Sequence, residues 1–217
     1  MERLIALIIG YACGLFQTGF IYGKLHGVDI RNYGSGNAGT TNVMRTFGKK
    51  AGVIVYLGDC FKAVIAALII ANTIGKDSDI EFLLIMYGGL GVVLGHNFPF
   101  YMGFKGGKGI AATSGVILSM LPYNWLIVVI GAATFFGVTF ISKYVSLGSL
   151  VFVTVVLIEI IVFGEMGTFN MAHSALVESY IVTAVITVLA FIRHRENIKR
   201  LLSGTERKIL QKKKQEQ

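Results

Sequence analysis

Between Tyr33 and Lys50 the chain reads YGSGNAGTTNVMRTFGKK, a set of groups suited to holding an oxyanion. Gly34, Gly36 and Gly39 let backbone N–H groups turn toward one centre, while Ser35, Asn37, Thr40, Thr41 and Asn42 supply short polar donors. Arg45 adds a planar fork that meets phosphate in a bidentate manner, with Lys49 and Lys50 close behind. The same residue types also build ordinary surface turns, and the spacing is not that of a P-loop. On this stretch alone both readings stand.

A second stretch repeats the chemistry. From Gly95 to Gly109 the chain reads GHNFPFYMGFKGGKG, with Gly106, Gly107 and Gly109 freeing the backbone around Lys105 and Lys108. The apolar run that follows starts a helix whose positive end would face an anion. His96 would serve as a general base only with a substrate hydroxyl in hydrogen-bond reach; with Asn97 and Pro99 it also fits an interfacial turn. Two weaker pieces follow. YVSLGS, from Tyr144, places Ser146 at a helix start, where capping is the ordinary use of serine. RHRENIKRLLSGTERK, from Arg193, puts His194 and Asn197 three residues apart and so on one helical face, although basic residues leaving a membrane are usually topology anchors. Asp59 and Lys62 share a face inside an apolar run, either as a pair that helps neutralise the bound anion or as an anchor for the helix. Glu159, also in an apolar run, has no partner in its own helix.

The elements that must position these groups are membrane helices. With 54% apolar and 15% charged residues in a chain of 217, and a mean hydropathy of +0.68, a soluble fold would carry too apolar a surface. Apolar runs recur at 4–22, 51–73, 81–98, 107–121, 125–142, 146–163 and 175–192. These predict an all-α integral membrane bundle of seven transmembrane helices, a single domain over 1–217 with a basic tail from about 193. The runs at 81–98 and 107–121 are broken by glycine, so six spans is the alternative count. Gly88, Gly89, Gly91 and Gly95 would let neighbouring helices approach closely. The first run is too long, and too weakly basic at its start, to read as a cleaved leader.

Charge sets the orientation. Lys24, Arg31, Arg45, Lys49, Lys50, Lys105, Lys108, Lys143 and the cations from Arg193 to Lys214 fall on one side of the seven-span scheme. Arg3 and Lys76 fall on the other, beside Asp77, Asp79, Glu165 and Glu178. The positive-inside rule then predicts the N-terminus outside and the C-terminus in the cytoplasm, with every polar stretch above on the cytoplasmic face. The net charge of +8 follows from this topology, and QKKKQEQ at the end of the chain reads as attraction to anionic headgroups. Nucleic acid is not an expected partner, because no recognition fold accompanies the charge. Cys13 and Cys60 lie in apolar runs without metal-ligand spacing, so neither a disulfide framework nor a metal site is expected.

Together these motifs resemble the bacterial acyl-phosphate-dependent glycerol 3-phosphate acyltransferases over nearly the whole chain. The resemblance rests on Gly34 to Asn37 with Gly39, Thr41, Asn42 and Arg45; on Asp59 with Lys62; on Gly95, His96, Phe98, Pro99 and the Lys105 to Gly109 run; on Ser146 to Ser149; and on His194, Arg195, Asn197, Ile198, Gly204 and Glu206. It implies seven spans in the inner membrane, an active site on the cytoplasmic side, and acyl transfer from acyl-phosphate to the first hydroxyl of glycerol 3-phosphate. The expected products are lysophosphatidic acid and phosphate, in the first step of phospholipid synthesis, without a cofactor. Ser35, Arg45, Lys108, His194 and Asn197 are expected to hold the glycerol phosphate as the catalytic set. Gly34, Gly36, Asn37, Gly39, Thr41, Asn42, Lys62, His96, Lys105, Gly106, Gly107, Ser146 and Glu206 are expected to complete the substrate site, the loop glycines, Lys105 and Ser146 at its acyl-phosphate end.

Two other classes are weighed against this. A transporter of phosphorylated metabolites would need anion-binding groups on both faces, and here the outer loops carry almost none. A noncatalytic scaffold leaves Asp59 and Lys62 at membrane depth without a reason.

Overall fold

The structure, a computed structural model, describes residues 1–209, so Lys212, Lys213 and Lys214 of the basic tail lie outside the described residues. The described residues form ten α-helices: α1 (Glu2–Gly14), α2 (Thr18–Leu25), α3 (Thr40–Phe47), α4 (Lys49–Ala71), α5 (Glu81–Asn97), α6 (Ile110–Leu118), α7 (Trp125–Ser142), α8 (Val145–Glu165), α9 (His173–Arg193) and α10 (Arg195–Leu202). Among the described residues, six segments are long and apolar enough to cross a membrane: Glu2–Leu25, Lys49–Ala71, Glu81–Met102, Trp125–Ser142, Val145–Glu165 and His173–Arg193. The run at 107–121 does not reach that length as a helix. Glycine delays its start to Ile110, and α6 has nine residues, about 14 Å of helix against a core near 30 Å. The segment nonetheless travels far. It leaves Gly109 packed on Asn97 at one end of α5, and Tyr123 beyond α6 bonds Glu81 at the other end (2.7 Å).

The first apolar run, expected as one span at 4–22, is broken in the middle. Gln17 sits between α1 and α2 and is 1% exposed. Its amide donates to the carbonyls of Gly14, Gly95 and His96 (3.1, 3.2 and 3.1 Å). Asp59 on α4 accepts from the Thr18 hydroxyl (3.0 Å). Gln17, and Lys62 from α4, thus satisfy carbonyls at the break that the bilayer would leave bare.

Close packing of α1 on α5 follows from glycine. The two helices run in the same direction, with Leu7 and Tyr11 facing Gly91, and Gly14 facing Val92 and Gly95. A Cβ on Gly91 would meet the Leu7 carbonyl and the Tyr11 nitrogen, so only hydrogen permits this approach. Buried aromatic and aliphatic side chains join α5 to α6, α8 and α9, and Phe82 stacks on Phe169 with centroids 4.0 Å apart. At the end of the bundle away from the glycine-rich loop, Arg3 grips Glu178 (2.5 and 2.7 Å) and Tyr87 donates to the same carboxylate (2.7 Å), tying α1, α5 and α9. Glu159 on α8 is buried, and its carboxyl oxygens have no partner among the described residues.

Candidate active site

The loop from Tyr33 to Gly39 is shaped by its own amides. Asn42, on α3 and 2% exposed, accepts from the Ser35 N–H (2.8 Å) and donates to the carbonyls of Ile30 (3.1 Å) and Tyr33 (2.9 Å). Asn37 accepts from the Gly39 N–H (2.8 Å). Gly34 and Gly36 carry φ of 62° and 71°, the left-handed region in which other residues are strained. The side chains of Asn37 and Asn42 are therefore spent on holding the turn. Gly34, Ser35 and Gly36 remain exposed, and Gly39 and Thr41 are partly so. Arg31 links this loop to the second one: it pairs with Asp29 (2.7 Å) and donates to the Met102 carbonyl (3.1 Å).

At the same end of the bundle, α10 folds back across α8 and α9. Ser146 on α8 donates to Glu206 (2.9 Å), which also accepts from Asn197 (2.7 Å) and Arg200 (2.7 Å). The Asn197 carbonyl in turn accepts from Lys108. One chain of hydrogen bonds thus runs from the KGGKG loop through α10 to α8. Burial raises the Glu206 pKa, but the bonds from Arg200, Asn197 and Ser146 outweigh it and leave the carboxyl below its ordinary value. Around this single carboxylate stand Lys108, Arg45 and Arg200. Burial, and then Arg200, Arg193 and Arg45, lower the Lys108 ammonium to about 8 against an opposing pull from Glu206. Arg45 is reachable by solvent, yet the surrounding protein and then Arg207 and Arg200 lower its pKa too, with Glu206 again opposing. Neighbouring cations that lower the Lys108 and Arg45 pKa values beside one carboxylate mark a place where an anion is wanted.

His194 lies at the joint between α9 and α10 and is 3% exposed. Burial, followed by the charge of Lys108, lowers its pKa to about 4, so the ring is neutral near pH 7. Its Nδ1 lies 2.8 Å from the Ala190 carbonyl. A carbonyl only accepts, so the ring proton is on Nδ1 and Nε2 keeps its lone pair.

Of the residues expected from the sequence, the structure gathers Arg45, Lys108, Ser146, His194, Asn197 and Glu206 into this cluster, with Gly106 and Gly107 beside it. Lys105 is exposed and makes no described hydrogen bond to the cluster. Lys62 and His96 lie beneath the loop, 5% and 3% exposed. Lys62 is surrounded by the carbonyls of Gly14 (3.2 Å) and Phe16 (2.7 Å), Asp59 (3.1 Å) and His96 Nδ1 (2.8 Å). That is the geometry of an anchor, the second of the two readings open for Asp59 and Lys62. His96 likewise belongs to the buried last turn of α5 and not to an interfacial turn. Arg193, read from the sequence as a topology charge, donates to the carbonyls of Gly106 (3.0 Å) and Gly107 (3.0 and 3.3 Å) and lies over the Phe98 ring. Nothing local in the sequence separates it from Arg195, whose side chain is exposed. Gln17 carried a usable signal, a lone amide inside an apolar run.

Fold and site together define an integral membrane helical protein with a cation-rich, hydrogen-bonded anion site at one end of its bundle. Comparison with known proteins narrows the class. The family model described as glycerol-3-phosphate acyltransferase matches residues 4–204, and the chain belongs to that family. A glycerol-3-phosphate acyltransferase of Alkaliphilus metalliredigens is 40% identical over 212 residues, covering 96% of this chain and 97% of the relative. The crystal structure of PlsY (YgiH), an integral membrane glycerol 3-phosphate acyltransferase in its glycerol 3-phosphate form, superposes with a TM-score of 0.81 at 37% identity, covering 96% of each chain. Its lysophosphatidic acid form gives 0.79 at 36% identity, over 96% of this chain and 95% of that one.

Proposed function

We propose that this protein transfers a fatty acyl group from acyl-phosphate to the first hydroxyl of glycerol 3-phosphate, releasing lysophosphatidic acid and inorganic phosphate in phospholipid synthesis. The observation that carries this reading is the cluster of Lys108, Arg45 and Arg200 around one carboxylate, tied to Asn197 and Ser146, within a family whose members are named for glycerol 3-phosphate. Two anionic headgroups repel each other, and a basic pocket at the membrane surface brings them together while the acyl chain stays in lipid. Ser35, Arg45, Lys108, His194 and Asn197 hold the glycerol phosphate; the glycines of both loops, Lys105 and Ser146 serve the acyl-phosphate.

The hydroxyl oxygen attacks the acyl carbonyl carbon and forms the new ester, and the bond from that carbon to the phosphate oxygen breaks. Acyl-phosphate brings its own leaving group, so the protein's task is to orient the hydroxyl and stabilise the developing oxyanion with donors already in place. The hydroxyl proton goes to a substrate phosphate oxygen and leaves with the inorganic phosphate. A histidine held near pKa 4 is a weak base for this, whereas a phosphate has an ionisation near pH 6.

The site belongs on the cytoplasmic face of the bacterial inner membrane, with seven crossings and the N-terminus outside. Support for the seventh crossing is the reach of residues 109–123 from one end of α5 to the other. Purified protein in detergent, given acyl-phosphate and labelled glycerol 3-phosphate, is expected to form labelled lysophosphatidic acid. A protein that only binds or moves the label across vesicles without forming the ester would end this reading.

A further inference from the structure

The KGGKG loop is held from below by groups that do not reach the pocket. Gly107 N–H donates to the His96 carbonyl (3.1 Å) and Gly106 N–H to that of Asn97 (3.1 Å). The loop rests directly on the imidazole. A Cβ on Gly106 would run into the His96 carbonyl, and one on Gly107 would strike His96 Nε2. The ring is fixed in turn by Lys62, whose Nζ lies 2.8 Å from Nδ1.

Two carbonyls and the Asp59 carboxylate also surround that amine, none of which can donate to it. The three N–H bonds of the ammonium are shared among these four acceptors, His96 Nδ1 accepts from lysine, and the ring proton sits on Nε2, the atom turned toward Gly107. Asp59 is held by the Thr18 hydroxyl (3.0 Å), and the His96 carbonyl also receives Gln17 (3.1 Å). From the other side, Arg193 holds the carbonyls of Gly106 and Gly107. Lys108 follows immediately.

We propose that Lys62, acting through the His96 ring, is a positioning residue for Lys108: the buried Asp59–Lys62–His96 stack sets the height and orientation of the KGGKG loop and so places the Lys108 amine in the anion site. This rests on the reading that Lys108 holds the glycerol phosphate. Lys62 and His96 then influence substrate affinity without touching substrate, which replaces their expected direct contact. A group that merely keeps the protein folded would change the amount of active enzyme, and with it apparent kcat, but not KM.

The test is a pair of single variants and their combinations with Lys108→Ala, read as KM and kcat for glycerol 3-phosphate and as Kd for labelled glycerol 3-phosphate where turnover is too low. Lys62→Met is expected to raise KM about tenfold with a smaller fall in kcat, a difference of about 1.4 kcal/mol in binding. His96→Asn keeps a carbonyl for the Lys62 amine while withdrawing the ring from Gly107. It is expected to raise KM similarly, and it decides the matter if Lys62→Met does not fold. In the Lys108→Ala background neither change is expected to weaken binding further, because the group they position is gone. An unchanged KM with reduced kcat would overturn the positioning role and leave a structural anchor. So would a loss of affinity that persists in full beside Lys108→Ala. If Lys108→Ala alone leaves KM and Kd unchanged, the assignment of Lys108 itself fails, and the positioning proposal with it.

Discussion

Two basic side chains of the candidate site differ in what they do at neutral pH, and that difference can be measured. Arg45 stays charged whatever its surroundings, whereas His194 is neutral and a weak base. Removing a guanidinium that pairs with a phosphate is expected to cost about 100-fold or more in kcat/KM for Arg45→Ala. His194→Ala is expected to lose less than about tenfold in kcat, below the range of about 10²–10⁴ typical of a lost general base. A collapse of turnover with unchanged binding in the histidine variant would move the proton to His194 Nε2. Lys108 adds a pH signature. With a pKa of about 8 it is charged below that value and neutral above it. The KM for glycerol 3-phosphate is therefore expected to rise between about pH 7 and about pH 9, a window above the phosphate's own ionisation near pH 6. Lys108→Arg keeps its charge throughout and should flatten this limb; a limb unchanged in that variant would place the titrating group elsewhere.

Helix packing makes a prediction of opposite signs for one kind of substitution. Gly91→Ala puts a methyl group into the Leu7 carbonyl at the α1–α5 contact. That is expected to destabilise by about 1–3 kcal/mol. Gly137→Ala on α7 meets nothing within 4 Å, and replacing a helical glycine there is expected to gain about 0.5–1 kcal/mol. Thermal unfolding in one detergent compares the two directly. Two equal downward shifts would mean that α1 and α5 are not packed as described. Glycine spacing in the α5 run was legible as a packing surface; which helix it met was not. The same is true of the break at Gln17. Propensity favours an uninterrupted helix across an apolar run, and the break is tolerated because the Gln17 amide and Lys62 of α4 donate to the carbonyls it leaves bare, while Asp59 of α4 accepts from the Thr18 hydroxyl.

For the molecule as a whole, the distribution of charge and the position of the site lead to the same expectation. Ser146, Glu206, Asn197, Lys108 and Arg193 meet at one end of the helices, and Arg3, Glu178 and Tyr87 lock the other. With Cys13 and Cys60 replaced, a cysteine at Lys76 is expected to react with an impermeant thiol reagent added outside intact cells. One at Ser203 should react only after the membrane is opened. Labelling of Ser203 from outside would reverse the orientation.

Membrane residence and the order of the apolar segments were readable from residue types, because insertion depends on local apolar length, and so was the abundance of cations in the polar stretches, because guanidinium and ammonium groups carry their charge wherever they stand. Seven apolar runs were equally plain, yet only in three dimensions does the run at 107–121 become a nine-residue helix with a turned extension. The division of labour among the polar residues was not readable at all. Asn42, Asn37, Lys62 and His96 have the donors and acceptors of a binding site, and the folded chain spends the first three on its own carbonyls and N–H groups and the His96 ring on Lys62, while Arg193 is drawn from the tail to clamp a loop. A donor has the same chemistry toward a phosphate as toward a carbonyl. Which of the two lies within 3 Å of it is set by helices distant along the chain, and so by the tertiary structure alone.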